Sequence, residues 1–310
     1  MEGHWARENE AGALRGMRFM VWAYGFAGRP FFNFILFFVI AYFFLRRGTS
    51  RRASRDYLKR VRRTYPDALG RGPIWWLSFR QFYEFGQATL DKYLAWIGKP
   101  APVLMDPQAE ELLFNMAPRD VGSLLIGAHF GNIEYSQIIA DRHPEVTINV
   151  LMHDQHARNF AAVVEGKESR GQMNLIQVTD IDFKLALTLR EKVQAGEWVV
   201  MAGDRIPVGD SSRVCEPEFF GEKARFPIGP YVLASLLQCP VYLLHCFRLD
   251  GDYNIGAEAF ADEIAPDRKE RFAAYEAYAQ QFATALERQV VRSPLQWFNF
   301  YDFWGSNAKD

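Results

Sequence analysis

His129 and Glu134, in the segment Gly-Ala-His-Phe-Gly-Asn-Ile-Glu at 127–134, are the residues whose types and spacing most directly suggest chemistry. An imidazole with one ring nitrogen on a carboxylate has a fixed tautomer, keeps its other nitrogen as a general base, and gains a counter-charge as imidazolium. That is half of a serine-hydrolase triad, with the nucleophile supplied by a substrate's own hydroxyl or amine. A His five residues before an acid is common as a bare pattern, so its weight comes from context. Val121–Ala128 (VGSLLIGA) predicts a buried strand ending at His129. From Gly131 the run GNIEYSQIIADR predicts a helix with apolar residues at 133, 135, 138 and 139. In open α/β sheets ligands sit beyond the carboxyl ends of strands, where the next helix offers free amides. Gly131 lets the chain turn sharply and approach a substrate closely.

Other candidates carry less. Asp204-Arg205 follows an apolar strand and suits either a binding role or a structural ion pair. His153 and His156 have metal-pair spacing, but no third ligand has a compelling position, so they are expected in a loop and no metal is called for. His245 lies inside an apolar strand as a core histidine. Ser123, Ser136 and Ser235 lack the Gly-x-Ser-x-Gly elbow of α/β-hydrolases, and no Walker or Rossmann glycine loop is present, so no nucleotide cofactor is implied. Cys215, Cys239 and Cys246 form no Cys-x-x-Cys pair and are expected as small buried residues in a reducing compartment.

The elements that must position His129 form an α/β pattern: strands at 147–152, 175–178, 198–202, 241–247 and 253–260, and helices at 182–195, 228–238 and 268–291. Asp182 is a capping residue for the first of these helices and Gly196 its stop. The expected fold is a mixed central sheet flanked by helices, with an N-terminal hydrophobic helical membrane anchor. Residues 1–55 form the membrane-associating part and 56–310 the α/β domain. Residues 56–120, with Trp75, Trp76, Phe79, Phe82, Tyr83 and Phe85, are expected as helices between anchor and body.

Aromatics make up 15% of the chain, an excess that points either to a large core or to a surface meeting lipid or acyl chains. Residues 31–45 (FFNFILFFVIAYFFL) have Asn33 as their one polar side chain. As a helix they span about 22 Å, short of a hydrocarbon core of roughly 30 Å. A second apolar stretch, Phe19 to Ala27, precedes them across Gly28-Arg29-Pro30. One long span would bury Arg29 near its middle, so two short helices dipping into one leaflet are expected. Arg46, Arg47, Arg51, Arg52, Arg55, Lys59, Arg60, Arg62 and Arg63 follow, against Asp56 alone, and favour the cytoplasmic side of an anionic membrane. Net charge is −1, so no global basic field points to nucleic acid.

The HFGNIE block resembles the His-x4-acid motif of the lysophospholipid and glycerolipid acyltransferase superfamily. It is most similar to the His-x-Gly-Asn-x-Glu form of the bacterial lipid A late acyltransferases. The likeness extends over about residues 15–305: the anchor, Asn159, Arg170, the strand into Gly203-Asp204-Arg205, and FFGEKARFPIGPYVLA at 219–234. Arg205 stands where those enzymes more often carry Gln, and QWFNFYDFW at 296–304 resembles endings found in the aryl-polyene and pigment branch. The resemblance implies acyl transfer from acyl carrier protein or acyl-CoA to a hydroxyl of a membrane lipid or glycolipid, at the inner membrane, with no cofactor. His129 would be the base and Glu134 its orienting acid. Gly131, Asn132, Arg170, Asp204 and Arg205 would contact substrate, with Arg225 a further cation. Amides at the helix start, with Asn132, would stabilise the oxyanion. A thioester or lipid hydrolase using the same dyad, and a catalytically silent lipid-binding scaffold, are the rival readings.

Overall fold

The computed structural model describes residues 3–96, 99–117, 120–153, 173–178, 182–206 and 214–305. Three helices come first. In α1 (Gly3–Arg46), Ala27 (φ −141°) and Gly28 (φ +71°) leave helical geometry, and Pro30 stands in the first turn of the renewed helix. A left-handed φ suits glycine, and proline suits a first turn, where its missing N–H would have no partner. The break expected at Gly28-Arg29-Pro30 is thus a kink between two helical segments. One face of the second segment, Phe32, Leu36, Ile40 and Phe44 at one residue per turn, packs on Phe79, Phe82, Leu90 and Leu94 of α3 (Ile74–Trp96). Between them α2 (Gly48–Thr64) buries Ala53, Ser54, Tyr57, Leu58 and Val61. The expected boundary at 55/56 falls within α2.

The body follows the alternation expected of it. The strand β1 (Val103–Met105) leads into α4 (Pro107–Glu110), which continues as a π-helical turn at 111–116. The strand β2 (Leu124–Gly127) is followed by a 3-10 turn (Ile133–Tyr135) and α5 (Ser136–Arg142). Then come β3 (Ile148–His153), β4 (Met173–Val178), α6 (Phe183–Gln194) and β5 (Trp198–Ala202). Asp182 caps α6 by accepting the Leu185 N–H at 2.7 Å, and Gly196 closes it at φ +86°. Short strands β6 (Val214–Cys215), β7 (Glu218–Phe219), β8 (Glu222–Lys223) and β9 (Phe226–Pro227) form two small antiparallel pairs outside the main sheet. Helix α7 (Gly229–Leu237), the hairpin β10 (Val241–Leu249) and β11 (Asp252–Ala261), and α8 (Arg271–Val290) complete the domain.

The main sheet has the order β1-β11-β10-β2-β5-β3-β4, with β10–β11 antiparallel and the other pairings parallel. On one face Leu124, Ile126 and Val199 meet Leu189 of α6, Leu233 of α7 and Phe282 of α8. On the other, Leu125 and Val200 meet Tyr135 and Ile139. Cys215, Cys239 and Cys246 are free and buried, as expected.

A buried ion cluster ties the N-terminal helices to this body. Asp91 of α3 is fully buried and accepts from Arg29 of α1 at 2.6 Å, from Arg248 of β10 at 3.0 Å and from the Tyr253 hydroxyl at 3.1 Å. Removing one member of such a cluster leaves an uncompensated charge. Asp91→Ala is expected to cost about 3–5 kcal/mol, read as a lower unfolding midpoint of the detergent-solubilised protein. Arg29→Gln should cost less, because Arg248 and Tyr253 still neutralise Asp91 and the Arg29 side chain is partly exposed. Equal losses for the two variants would contradict this assignment.

Candidate active site

β2 and β5 are parallel neighbours in a register that ends on Gly127↔Ala202. The ladder continues one step further through the Gly203 N–H to the Gly127 carbonyl, 2.8 Å. His129 and Asp204 each lie two residues beyond these strand ends, so the parallel register sets them side by side. Asp204 Oδ1 is 2.7 Å from His129 Nδ1, and the two carboxylate oxygens receive the His129 backbone N–H at 3.1 and 3.0 Å. The indole Nε1–H of Trp297 donates to Oδ2 at 3.1 Å. Burial alone would push Asp204 upward. The charge and hydrogen bonds of His129, with Arg205 nearby, outweigh it and hold the carboxyl below its ordinary value. With Nδ1–H turned to this carboxylate, Nε2 carries the free lone pair. It has no hydrogen-bond partner among the described residues, and the side chain is 35% exposed.

The carboxylate that orients the ring is therefore that of Asp204. The side chain of Glu134, expected in that role, lies outside the described residues; its backbone stands in the 3-10 turn after the His129 loop. Asp204 was expected as a substrate contact. It is 1% exposed and saturated with protein donors, so it acts through His129 instead.

Two neighbours of His129 are also reassigned. Gly131 has φ +66°, and a Cβ there would fall 2.1 Å from the Cys246 carbonyl, so the residue closely approaches β10. Asn132 is buried: its backbone N–H donates to the Cys246 carbonyl at 2.7 Å and its side-chain amide to the Ala88 carbonyl at 3.1 Å. With the Gly131 N–H bound to Gln296 O at 2.9 Å, these donors are occupied by protein and are closed to an oxyanion. They pin the loop after β2 between α3, β10 and the C-terminal segment. Arg170 and Asn159 lie outside the described residues, as does His156. The backbone N–H of Arg225 donates to the Phe303 carbonyl at 3.4 Å.

The C-terminal segment is a part of the site that the sequence did not disclose. Trp297 is fully buried, with its ring centroid 4.8 Å from Tyr57, 5.3 Å from Phe219 and 5.0 Å from Phe303. The Phe298 N–H donates to the His129 carbonyl at 2.8 Å, and half-buried Arg205 donates to the Phe298 carbonyl at 2.7 Å. Tyr301 reaches the Asp204 carbonyl at 3.4 Å. Aromatic density at 296–304 hinted at importance, but no spacing rule ties an indole to a carboxylate some ninety residues upstream.

Behind β2, between the sheet and α8, a small cleft of about 30 Å³ is lined by Ile126, Ala128, Phe130, Phe282 and Leu286, with His245, Glu258 and Gln289 as its polar members. Burial pushes the His245 imidazole down to about 4, as suits a neutral core histidine. The cleft does not include the His129 ring, and it lacks the paired base and acid found at the strand ends.

A family model described as bacterial lipid A biosynthesis acyltransferase matches residues 82–305, a span that contains His129, Asp204 and Trp297. No curated protein matches the chain at a significant level.

Because the carboxyl of Asp204 is held below its unfolded value of about 3.9, its contribution to stability is complete above that pH and is lost as pH falls through the folded value. The stability difference between the native protein and Asp204→Asn should therefore stay at full size down to about pH 4 and shrink below it. Denaturant titrations at a series of pH values check this. A difference that persists unchanged well below that range would contradict the assigned ionisation.

Proposed function

Because the chain belongs to the bacterial lipid A biosynthesis acyltransferase family, we propose that it moves an acyl group from a thioester of acyl carrier protein or coenzyme A to a hydroxyl of a membrane lipid or glycolipid, with His129 as general base. Acyltransferase activity of the lipid A type follows from membership. The reading of the residues rests on one observation: His129 Nδ1 is 2.7 Å from a buried carboxylate while Nε2 is left open.

In this reading the acceptor hydroxyl approaches Nε2 and gives up its proton as its oxygen attacks the thioester carbonyl. The C–O bond forms and a tetrahedral oxyanion results. Its collapse breaks the C–S bond, and the departing thiolate takes the proton back from the imidazolium. Asp204 stays ionised throughout and stabilises the positive ring by charge. Trp297 and the His129 backbone N–H keep that carboxylate aimed at Nδ1. Since Asp204 occupies Nδ1, the role left for Glu134 is on the substrate side, accepting a hydrogen bond from the attacking hydroxyl. Arg205 spends one guanidinium N–H on Phe298 O, and its other donors suit an oxyanion or a phosphate of donor or acceptor. Arg170 is proposed as a second such cation.

The helix Trp22–Arg46, long and apolar enough to cross a membrane, and the basic run after it support attachment at the cytoplasmic face of the inner membrane, which brings the acceptor to the site within the plane of the bilayer. A hydrolase would use the same dyad on water.

His129→Ala should abolish acyl transfer from a purified thioester donor while leaving the unfolding midpoint close to native; near-normal turnover would sink the mechanism. Free fatty acid measured beside acylated lipid, with and without acceptor, separates transfer from hydrolysis. Transfer predicts that added acceptor diverts the acyl group away from free acid.

A further inference from the structure

Attack on a thioester puts a negative charge on the acyl carbonyl oxygen, close to a site that already holds the Asp204 carboxylate. That oxyanion needs hydrogen-bond donors the protein has not already spent. In the loop after β2 they are spent. The His129 N–H goes to Asp204, the Gly131 N–H to Gln296 O at 2.9 Å, and the Asn132 N–H and side-chain amide to Cys246 O and Ala88 O. The Trp297 indole is committed to Asp204 Oδ2. Donors to spare lie instead where the residues after β5 meet the C-terminal segment.

Backbone pairing builds that junction. Phe130 and Trp297 form an antiparallel bridge, and the Phe298 N–H donates to the His129 carbonyl at 2.8 Å, so the chain at 297–298 lies alongside the His129 loop. Arg205 Nη2 donates to the Phe298 carbonyl at 2.7 Å and keeps further N–H groups beyond that bond. Its guanidinium therefore stands at the very residue that pairs with His129. Three residues on, Asn299 Oδ1 accepts the Tyr301 N–H at 3.3 Å, a local turn, and the Tyr301 hydroxyl returns to the Asp204 carbonyl at 3.4 Å. Arg205 and Tyr301 thus cross between the same two segments, one from each side.

The Tyr301 hydroxyl is only loosely held by the protein. Its 3.4 Å bond is longer than the ordinary O–H···O range of about 2.5–3.0 Å, so the proton is free to turn to a stronger acceptor. Burial of the hydroxyl end and the charge of Asp204 push the phenol well above its ordinary value, against the opposing pull of Arg205, and it stays protonated as a donor. The rest of the ring is open: Tyr301 is 37% exposed and the His129 side chain 35%, while Asp204 and Trp297 are sealed. A molecule arriving from outside meets His129 and Tyr301 and not the pair behind them. We propose that Tyr301, together with Arg205, is the oxyanion donor of the site, its O–H hydrogen-bonding the acyl carbonyl oxygen while His129 takes the acceptor's proton.

The assignment rests on the acyl-transfer reading and gives that reaction a residue of the C-terminal segment. As the attacking oxygen forms the C–O bond, the carbonyl π pair moves onto its oxygen. Tyr301 and Arg205 donate to that oxygen and keep their protons. When the pair returns, C=O re-forms, the C–S bond breaks, and the thiolate takes the proton held by His129. The two negative charges are kept apart by their partners. Asp204 is filled by His129 and Trp297 and balances the imidazolium, while the oxyanion draws on Arg205 and Tyr301.

The test compares the full-length native protein with Tyr301→Phe, which keeps the ring and removes the donor. An acyl thioester is offered as its carrier-protein and coenzyme A forms, with extracted inner-membrane lipid as acceptor. Loss of thioester is counted whether the acyl group goes to lipid or to water. Tyr301→Phe should lower kcat on the order of 10²-fold, with KM within about twofold of native. Binding of two unreactive probes separates a donor from a mere support of the fold. A pantetheine-linked alkylphosphonate, anionic and tetrahedral like the intermediate, should bind the variant roughly tenfold or more weakly. A pantetheine thioether, which resembles the donor alone, should bind both proteins equally. A native-like kcat overturns the proposal, and so does an equal loss of affinity for both probes. If Tyr301→Phe does not fold, Arg205→Lys, which keeps the charge and loses the planar fork, must show the same split between the probes, and equal losses there overturn the proposal. Native protein that consumes neither thioester sinks the acyl-transfer reading itself, a result distinct from an active native protein with an equally active variant.

Discussion

Asp204 places a negative charge at the carboxyl edge of a mostly parallel sheet, out of contact with water, and a carboxylate survives there only if donors surround it. Those donors come from two distant parts of the chain: His129, through both its backbone N–H and its ring, and the indole of Trp297. Satisfying one buried charge therefore fixes the position of the His129 ring and docks the C-terminal segment. Arg205 and Tyr301 close the same junction from the other direction, through Phe298 O and Asp204 O.

The requirement propagates outward. Trp297 must be held, and it is: its carbonyl accepts Gln81 Nε2 of α3 at 2.6 Å, and the Tyr57 hydroxyl of α2 binds Pro294 O at 2.7 Å. Gln296 binds both the amide and the carbonyl of Arg248, whose guanidinium reaches Asp91 and so stands one residue away from Arg29 at the α1 kink. The helices that carry the exposed aromatics are thus joined to the site by hydrogen bonds and ion pairs as well as by apolar packing. Their position relative to His129 is set by the fold and not by a flexible tether.

Much of this was legible from the sequence because it is local. Apolar runs bounded by Asp182 and Gly196 located α6, the strand before His129 ended where expected, and Gly28-Arg29-Pro30 marked the bend in α1. The family likeness carried by the His129 block agrees with the family match over 82–305. What escaped is non-local. Glu134 was the orienting acid expected by sequence proximity, but the acid that meets Nδ1 comes from the neighbouring strand. Finding Asp204 requires knowing that β2 and β5 are adjacent and that Gly127 pairs with Ala202, and strand order is not written in any one segment. The protein partners of Asn132 and Gly131 were hidden for a related reason. Their residue types suit ligand contact, while their environment, the backbone of β10 and α3, exists only in the folded chain. The short β1 strand and the two small hairpins of 214–227 were too brief to give a periodic signal.

The account stands or falls on whether Asp204 is what makes His129 a base. The most direct measurement is the initial rate of acyl transfer by Asp204→Asn, a substitution that keeps the side-chain shape and removes the charge, with Glu134→Gln measured alongside it. The account predicts a fall of roughly 10³–10⁴-fold for Asp204→Asn, the scale of losing the orienting acid of a histidine base, in a protein that still folds. A folded Asp204→Asn variant that turns over within about tenfold of native, with the larger loss in Glu134→Gln, would contradict it.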